Sequence, residues 1–311
     1  MNAPTKAAVL LMGYGAPRGL DDVPAYLSEM RGDRSMPEPV VREVTERYRR
    51  IGGSSPLPAI LERVRESLQE SLGGPYDVYL GMRYGEPSLR SAVEGAVADG
   101  HANALALPLS PYQSRMTDEA YLEKARACAA AAGGRLAFFP PPAWHAHPLL
   151  VRAYAERLRE TLSAVPEANR GRTFVLFTAH SLPASIVEEG DPYAEQLRLT
   201  CAAVAQEAGI SEWMLAYQSR PQSQAPGAAW LGPEAGELID AAAGSGADTV
   251  VLDPVGFLAD NLETLYDDDV LLRERAERKG LSFHRVAALN DDVTYIRALA
   301  AVVRASFAPL S

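Results

Sequence analysis

His180 stands where a metal-binding or proton-accepting side chain is expected. It ends the apolar run TFVLFTAH, which has the composition of a buried β-strand and leads into a polar turn ending at Pro183. In an open parallel sheet, ligands bind beyond the carboxyl ends of the strands, so an imidazole there can ligate a metal or accept a proton near neutral pH. The alternative is a histidine hydrogen-bonded into the seam between two domains. Ser181 would point to the opposite face of an extended chain and no G-x-S-x-G elbow occurs, so a serine hydrolase is not predicted.

A second chemical feature is the acidic stretch VGFLADNLETLYDDDV at Val255–Val270. It follows a predicted strand and Pro254, so we expect it to open a helix beyond the edge of the sheet. Spacings of three and four residues place Asp260, Glu263 and Asp267 on one helical face. A solvated acidic face is the ordinary interpretation, but the flanking apolar residues predict partial burial. Carboxylates beside an imidazole would suit a hard or borderline divalent metal.

The first predicted strand ends in the glycine-rich turn GYGAP, Gly13–Pro17. Its spacing matches neither a dinucleotide-binding fingerprint nor a phosphate-binding loop that ends in Gly-Lys-Ser/Thr. The two glycines would let the backbone approach a ligand, and the phenol of Tyr14 would project into a cleft. A turn tyrosine packed on its neighbour is the alternative.

Arginines are concentrated soon after this turn, in a chain that is acidic elsewhere. Many are expected to be helix-surface charges paired with Glu43 and Glu46, but a guanidinium also suits the planar geometry of a carboxylate. Some of them are therefore candidates for binding a dianionic ligand, with the loop Ile51–Leu57 as a source of hydroxyl and backbone donors. The arginines are Arg31, Arg34, Arg42, Arg47, Arg49 and Arg50.

Short apolar runs alternate with longer stretches of helical spacing along the chain, which predicts parallel sheets with helices on both faces. Four runs precede a long helical stretch near residues 148–162 and four follow it, and the turns after the first three runs of each half are similar. We therefore predict two similar α/β domains, residues 1–150 and 151–311, each with a four-stranded parallel sheet flanked by helices, and an active-site cleft between them. The runs are Ala7–Met12, Tyr76–Met82, Ala104–Leu109, Leu136–Phe139, Thr173–Phe177, Trp213–Tyr217, Thr249–Leu252 and Ser282–Val286.

The composition excludes several classes of function. The 311 residues include 40 acidic and 30 basic side chains, a formal charge of −10, which disfavours general nucleic-acid binding and docking on anionic lipid. Two cysteines are too few for a disulfide framework, a four-thiolate zinc site or a Cys-ligated iron–sulfur cluster, and they indicate a reducing compartment. No targeting segment or membrane-spanning run is visible in the sequence. We therefore expect a cytoplasmic protein.

Taken together, the motifs resemble those of the ferrochelatases, which insert ferrous iron into a porphyrin. No single motif is decisive, but their order and spacing along nearly the whole chain make the resemblance highly specific. The motifs are YRRIGGSSPL (Tyr48–Leu57), GMRYGEPSL (Gly81–Leu89), LPLSPYQS (Leu107–Ser114), AHSLP (Ala179–Pro183), GDPY (Gly190–Tyr193), YQSR (Tyr217–Arg220), WLGP (Trp230–Pro233) and GFLADNLETLYDDD (Gly256–Asp269).

The resemblance implies a class II chelatase-like fold of two similar Rossmann-like domains, with the porphyrin cleft between them. His180 matches the metal-binding histidine of the family and Glu263 the glutamate that faces it, so the resemblance makes both catalytic. Tyr14 resembles a tyrosine of the coproporphyrin-using branch, which reaches the metal from the opposite face and is axial to the product iron. The positions that match substrate-binding residues of that branch are Tyr14, Arg31, Arg47, Tyr48, Ser55 and Tyr121.

Three features depart from the family pattern. Consecutive arginines are common where this chain has Arg31-Gly32-Asp33-Arg34, and Asn261 stands where a histidine sometimes precedes the glutamate by two residues. Leu271 stands where an acidic residue is common, which argues against an outer metal site leading in from solvent. No cysteine-bearing extension follows the last predicted helix, so we expect no iron–sulfur cluster and no permanent cofactor.

The predicted activity is the insertion of Fe²⁺ into coproporphyrin III to give Fe-coproporphyrin III, or coproheme, in heme biosynthesis. The expected partners are coproporphyrin III and Fe²⁺, without nucleic acid or membrane. We also expect a monomer that hands its product transiently to the next enzyme of the heme pathway. The alternatives are a protoporphyrin IX ferrochelatase and a non-catalytic haem or porphyrin carrier of the same fold. A sirohydrochlorin cobalt chelatase would typically use two histidines, and a periplasmic solute-binding protein would carry a signal peptide.

Overall fold

A computed structural model describes residues 6–134, 136–220 and 229–308. Residues 1–5, where we expect no targeting segment, lie outside these ranges. The strands are β1 Ala7–Gly13, β2 Tyr76–Met82, β3 Asn103–Pro108, β4 Ala137–Phe139, β5 Thr173–His180, β6 Met214–Gln218, β7 Thr249–Asp253 and β8 Ser282–Arg285. The α-helices are α1 Val23–Met30, α2 Glu38–Arg50, α3 Leu57–Leu72, α4 Leu89–Ala98, α5 Asp118–Ala131, α6 Pro148–Ala164, α7 Glu167–Arg170, α8 Ser185–Glu188, α9 Tyr193–Ala208, α10 Ala235–Gly244, α11 Arg273–Arg278 and α12 Val293–Phe307. A short 3₁₀-helix, Leu20–Asp22, precedes α1, and a π-helix, Glu263–Leu272, precedes α11.

Two compact units make up the chain. The first combines the residues up to Trp144 with those from Asn290 onward, and the second is His145–Leu289. This division differs from the predicted boundaries at 150/151, because the last helix, α12, belongs to the first unit. There it packs against α3, and the Arg304 guanidinium donates a hydrogen bond of 2.6 Å to the carbonyl of Ser71. A return of the chain to the first unit leaves no signal in local hydrophobic periodicity.

Each unit contains one four-stranded sheet in which all neighbouring strands are parallel. The strand orders are β2-β1-β3-β4 in the first unit and β6-β5-β7-β8 in the second. This arrangement confirms the predicted fold class of two four-stranded parallel sheets flanked by helices. Each predicted apolar run corresponds to one strand, with ends that agree to within a few residues.

In the first unit the core is built around β1, which lies between β2 and β3. Its residues from Ala8 to Met12 are fully buried, as expected for a central parallel strand with both faces covered. On one face, Leu10 packs in a cluster with Leu89 and Val93 of α4 and Ala125 of α5. The strand thus ends rigidly at Gly13, immediately before the turn that carries Tyr14.

In the second unit, β5 and β7 are the central strands. Leu176 and Leu252 pack with Ile239 of α10 and Ala276 of α11 in one apolar cluster. Because the two strands are parallel, the end of β5 at His180 and the segment that follows β7 lie at the same edge of the sheet. That segment leads into the π-helix.

Gly256 allows this segment to pass close to the end of β5. Its N–H donates a hydrogen bond of 3.0 Å to the carbonyl of Thr178. A Cβ atom on Gly256 would lie 2.6 Å from both Cα and Cβ of Ala179, the residue before His180. Only glycine therefore permits the approach that brings the π-helix segment beside the strand carrying His180.

We expect Gly256→Ala to lower the melting temperature by several degrees, because the clash is with backbone that cannot rotate away. Overpacking of this kind costs about 1–3 kcal/mol or more. Gly244→Ala is the matched control, because a Cβ there would meet nothing within 4 Å and the residue is helical. Thermal unfolding followed by circular dichroism should show Gly244→Ala at or slightly above wild type. A Gly256→Ala variant as stable as wild type would contradict the close approach.

Candidate functional site

The polar turn after β5 is fixed by hydrogen bonds to Gln218 of β6, to Tyr193 of α9 and to Leu231. His180 is the last residue of β5 and lies opposite Gln218 of β6. Its carbonyl accepts a 2.9 Å hydrogen bond from the Tyr193 hydroxyl. The Ser181 N–H donates to the Gln218 carbonyl and the Ser181 hydroxyl donates to the Leu231 carbonyl, both at 2.9 Å. Ser181 therefore fixes the turn through its backbone contacts, in line with the argument against a serine hydrolase.

Glu263 is the first residue of the π-helix, and Asn261 caps the start of that helix. The Asn261 side-chain oxygen accepts hydrogen bonds from the N–H of Glu263 at 2.7 Å and from that of Thr264 at 3.3 Å. In return, the Asn261 N–H donates to the Thr264 hydroxyl at 3.0 Å. These reciprocal bonds satisfy donors that a helix start otherwise leaves open. Asn261, which departs from the family pattern, thus holds the backbone that carries Glu263.

His180 and Glu263, the pair singled out from the sequence, are in contact. The distance from His180 Nδ1 to Glu263 Oε2 is 2.8 Å. Their side chains are 37% and 33% exposed, so a ligand can reach both. An ionised carboxylate only accepts hydrogen bonds, so Nδ1 donates its proton and the lone pair is on Nε2.

The electrostatic surroundings favour protonation of the imidazole. Burial lowers the pKa of His180, but the charge and hydrogen bond of Glu263, together with the charge of Asp267, raise that pKa above its ordinary value. A histidine whose pKa is raised takes up a proton readily near neutral pH. The pair can therefore receive a proton from a bound molecule as well as present two ligand atoms to a metal.

The other two acids of the predicted face have partners of their own. Asp260 forms an ion pair of 2.9 Å with Arg285, and Asp267 accepts a hydrogen bond from the Ser219 hydroxyl. Arg285 also binds Asp269 at 2.9 Å, so one guanidinium joins the segment before the π-helix to the helix itself. In the described ranges, no group of three or more His, Cys, Asp and Glu side chains is arranged to hold a metal ion.

Two buried acids lie in the same unit. Burial raises the pKa of Asp253 to about 8, although the charge of Arg285 opposes the shift. Burial likewise raises the pKa of Asp268 well above its usual value, against the lowering effect of Arg285. Both side chains are almost completely inaccessible to solvent. Asp253 is therefore largely neutral at neutral pH, and burial shifts Asp268 in the same direction. The charges that raise the pKa of His180 are those of Glu263 and Asp267.

In the first unit, Tyr14 follows β1 and is 43% exposed. Its ring meets that of Tyr84 edge to face, with centroids 5.3 Å apart. Gly15 has φ +98°, and a Cβ there would lie 1.7 Å from the Tyr84 carbonyl oxygen. Gly15 is therefore needed for packing between two turns.

Arg83 and Tyr84 were not among the predicted site residues. They follow β2 directly, and the Arg83 guanidinium lies 5.2 Å from the ring centre of Tyr84 and 5.7 Å from that of Tyr121. Arg83 is half-buried and forms no ion pair with a carboxylate of the described residues. Their position in the sequence could have identified them. They follow β2 directly, and in a parallel sheet the end of β2 lies at the same edge as the turn that carries Tyr14.

Of the remaining predicted substrate-binding residues, four lie on α2 or on the loops at its two ends, and Tyr121 lies on α5. Arg31 follows α1 and is exposed. Arg47 pairs with Glu43 at 2.7 Å, as expected from the helical spacing. Tyr48 is 3% exposed, and the Ser55 hydroxyl accepts a hydrogen bond from the chain at the start of α3. Tyr121, on α5, is buried beneath the Arg83 guanidinium.

Comparison with known proteins identifies the family of this chain. The ferrochelatase family model matches residues 6–307. The chain belongs to the ferrochelatase family. It is 36% identical over 300 residues to the ferrochelatase of Deinococcus radiodurans, which covers 95% of this chain and 94% of the relative. It is 35% identical to the coproporphyrin III ferrochelatase of Geobacillus kaustophilus, over 96% of this chain and 95% of the relative.

The fold comparison agrees with the family. The sirohydrochlorin chelatase SirB from Bacillus subtilis subspecies spizizenii, solved with cobalt, matches with a TM-score of 0.61 at 11% identity, over 98% of this chain and 97% of that chain. This likeness shows a shared two-domain chelatase fold. Among the described helices of this chain, none has the length and apolarity needed to span a membrane.

The buried Asp253 predicts a specific pH dependence of stability. In the folded protein Asp253 keeps its proton up to about pH 8, whereas an unfolded aspartate loses it near pH ~4. Between these values the unfolded state gains free energy by ionising, so wild type loses stability as the pH rises. Asparagine cannot ionise, so Asp253→Asn should become more stable relative to wild type between about pH 5 and pH 8, measured as the difference in melting temperature.

Asp240→Asn is a matched control of opposite sign. The hydrogen bond from Arg275 lowers the pKa of Asp240, so this carboxylate stabilises the fold at neutral pH and loses that effect as the pH falls through the lowered pKa. Asp240→Asn should therefore be less stable than wild type at neutral pH, with a difference that shrinks in acid. A melting-temperature difference for Asp253→Asn that stays constant with pH would refute the buried neutral acid.

Proposed function

We propose that this chain is a coproporphyrin III ferrochelatase, which inserts Fe²⁺ into coproporphyrin III and releases Fe-coproporphyrin III. The observation that carries the proposal is the contact between His180 Nδ1 and Glu263 Oε2, at 2.8 Å and open to a ligand. Membership of the ferrochelatase family supplies the reaction class. Relatives named coproporphyrin III ferrochelatases, such as that of Bacillus subtilis at 34% identity over 96% of this chain, support the choice of porphyrin.

The reaction must move a metal in one direction and two protons in the other. Fe²⁺ gives up water, and the two pyrrole N–H groups lose their protons as the four nitrogens bind the metal. In the proposal, His180 accepts the two pyrrole protons in turn, passing the first to solvent before it takes the second, and Glu263 stabilises the imidazolium each time. The same two side chains bind Fe²⁺ weakly on its way to the ring, and two protein ligands suit a metal that is passed on to four nitrogens.

The porphyrin is held by remote contacts. A planar ring hides its nitrogen lone pairs, and bending it costs about 1–5 kcal/mol, which binding of the peripheral groups can supply. We assign the propionates of coproporphyrin III to cationic side chains of the first unit, Arg31 and Arg47, and add Arg83 to them. The phenol of Tyr14 is proposed as an axial ligand of the product iron.

The test is anaerobic incubation of the purified protein with Fe²⁺ and either coproporphyrin III or protoporphyrin IX, followed through loss of the free-base visible spectrum. We expect coproporphyrin III to be metallated faster. His180→Ala should lower the rate by at least about a hundredfold, since it removes the proton acceptor, while porphyrin still binds. His147→Asn, which keeps an acceptor at the start of α6, is the control and should retain activity.

Three outcomes would contradict the proposal. Faster metallation of protoporphyrin IX would identify protoporphyrin IX, and not coproporphyrin III, as the substrate. Tight binding of haem without metallation of either porphyrin would indicate a carrier. Full activity of His180→Ala would remove the pair from the chemistry.

Arg83→Gln should raise the KM for coproporphyrin III by roughly tenfold with a smaller change in kcat, because one charge-assisted contact to a carboxylate is lost. Arg83→Lys should recover part of the loss, since it restores the charge without the fork. Arg90→Gln, on the exposed side of α4, is the matched control. Equal KM values for Arg83→Gln and Arg90→Gln would exclude Arg83 from propionate binding.

A further inference from the structure

A cavity of about 420 Å³ lies at the free edge of the second unit's sheet. Its walls include Arg157 of α6, Arg273 of α11 and the edge strand β8 with Arg285. Neither His180 nor Glu263 lines it, so the proposed metal chemistry makes no use of it. Three arginines thus line one cavity of a chain that is acidic overall, and the proposed metal chemistry gives them no role.

Arg285 is the most firmly held of the three. Its side chain is 11% exposed, and its Nε and Nη1 atoms bind Asp269 and Asp260 at 2.9 Å each. Its Nη2 amino group makes no hydrogen bond with any residue in the described ranges. The two carboxylates thus fix the guanidinium while leaving one of its donor groups available.

Arg273 is held in a similar way. Its guanidinium stacks 4.9 Å from the ring centre of Phe283, and its Nη1 donates to the Phe283 carbonyl at 3.0 Å. Its carboxylate contact is to Asp269 at 3.4 Å, the same side chain that binds Arg285. Asp269 is therefore shared by Arg273 and Arg285, and with Asp260 it balances the charge of both guanidiniums while it holds them in place. What the two arginines offer the cavity is N–H donors in fixed positions, and not an excess of positive charge.

The backbone of β8 adds donors of its own. The N–H groups of Ser282 and Val286 bond to the carbonyls of Asp248 and Leu252 on the β7 side. Because alternate residues of a parallel strand bond to one neighbour, the N–H of Arg285 faces away from β7. Since β8 is the edge strand of the sheet, this donor faces the open side.

We propose that this cavity binds a small oxyanion, a ligand bearing phosphate or carboxylate groups. Its wall offers N–H donors from rigid guanidiniums and from an edge strand, which are the groups that bind planar and tetrahedral oxyanions. The acid that also lines it, Glu160, is 73% exposed and lies 3.4 Å from Arg157, so solvent screens its charge. The volume exceeds that of a phosphate ion and admits a polycarboxylate or a phosphorylated metabolite.

The experiment is calorimetric titration of the iron-free, porphyrin-free full chain with inorganic phosphate and, separately, with citrate. Ala287→Glu is the decisive variant, because Ala287 lines the cavity, is exposed and would supply a carboxylate of its own. We expect it to weaken binding by at least about tenfold, and Arg157→Gln to weaken it severalfold. Ala241→Glu, on the exposed side of α10, is the charge-matched control and should bind like wild type.

Each outcome bears on the proposal. Binding of either anion that Ala287→Glu abolishes and Ala241→Glu leaves intact supports it, and preference between phosphate and citrate identifies the anionic group. Absence of binding to wild type overturns it. So does binding that all variants retain, or that both glutamate variants weaken equally, since the anion would then bind elsewhere or through net charge alone. Melting temperatures of the variants, measured in parallel, exclude loss of fold as the cause.

Discussion

The contact between His180 and Glu263 is the interaction on which the site depends, and it joins residues 83 positions apart in the chain. It exists because the segment after β7 passes against the end of β5 at Gly256, where a Cβ would meet the backbone of Ala179. The absence of a Cβ atom at Gly256 thus allows two side chains that are distant in the sequence to meet. The parallel sheet supplies the rest, since it brings the ends of β5 and β7 to one edge.

The π-helix is held at its beginning and across its length. Asn261 caps its first turn, and Arg285 binds Asp260 before the helix and Asp269 within it. Glu263 is therefore presented by a segment that is fixed before any ligand arrives, and fixed side chains bind without a large cost in conformational entropy. The charges of Glu263 and Asp267 then raise the pKa of His180 against the lowering effect of burial.

Hydrophobic periodicity predicted the eight strands because a central parallel strand is apolar on both faces, as β1 is from Ala8 to Met12. The return of α12 to the first unit was missed, since amphipathic spacing shows that a helix has a buried face but not which sheet buries it. The π-helix was also missed. α-Helical spacing placed Asp260, Glu263 and Asp267 on one face, but it gave no sign that Asp260 pairs with Arg285 or that Asp267 binds Ser219.

His180 and the acidic segment were predictable because polar residues at a sheet edge stand out against apolar strands, whereas the pairing of His180 with Glu263 was implied by the resemblance to the ferrochelatases. Arg83 was not predicted as a site residue, because its contacts with the rings of Tyr84 and Tyr121 depend on the fold, and Tyr121 comes from a different part of the chain. Under the proposed function, Fe²⁺ needs the lone pair on Nε2 of His180, which is the same lone pair that takes up a proton when the imidazole becomes an imidazolium. Metal and proton then compete for the same site, so binding of Fe²⁺ weakens as the pH falls below the raised pKa of His180. A pair that binds Fe²⁺ weakly and takes up a proton readily can release iron to the ring and accept a proton in exchange.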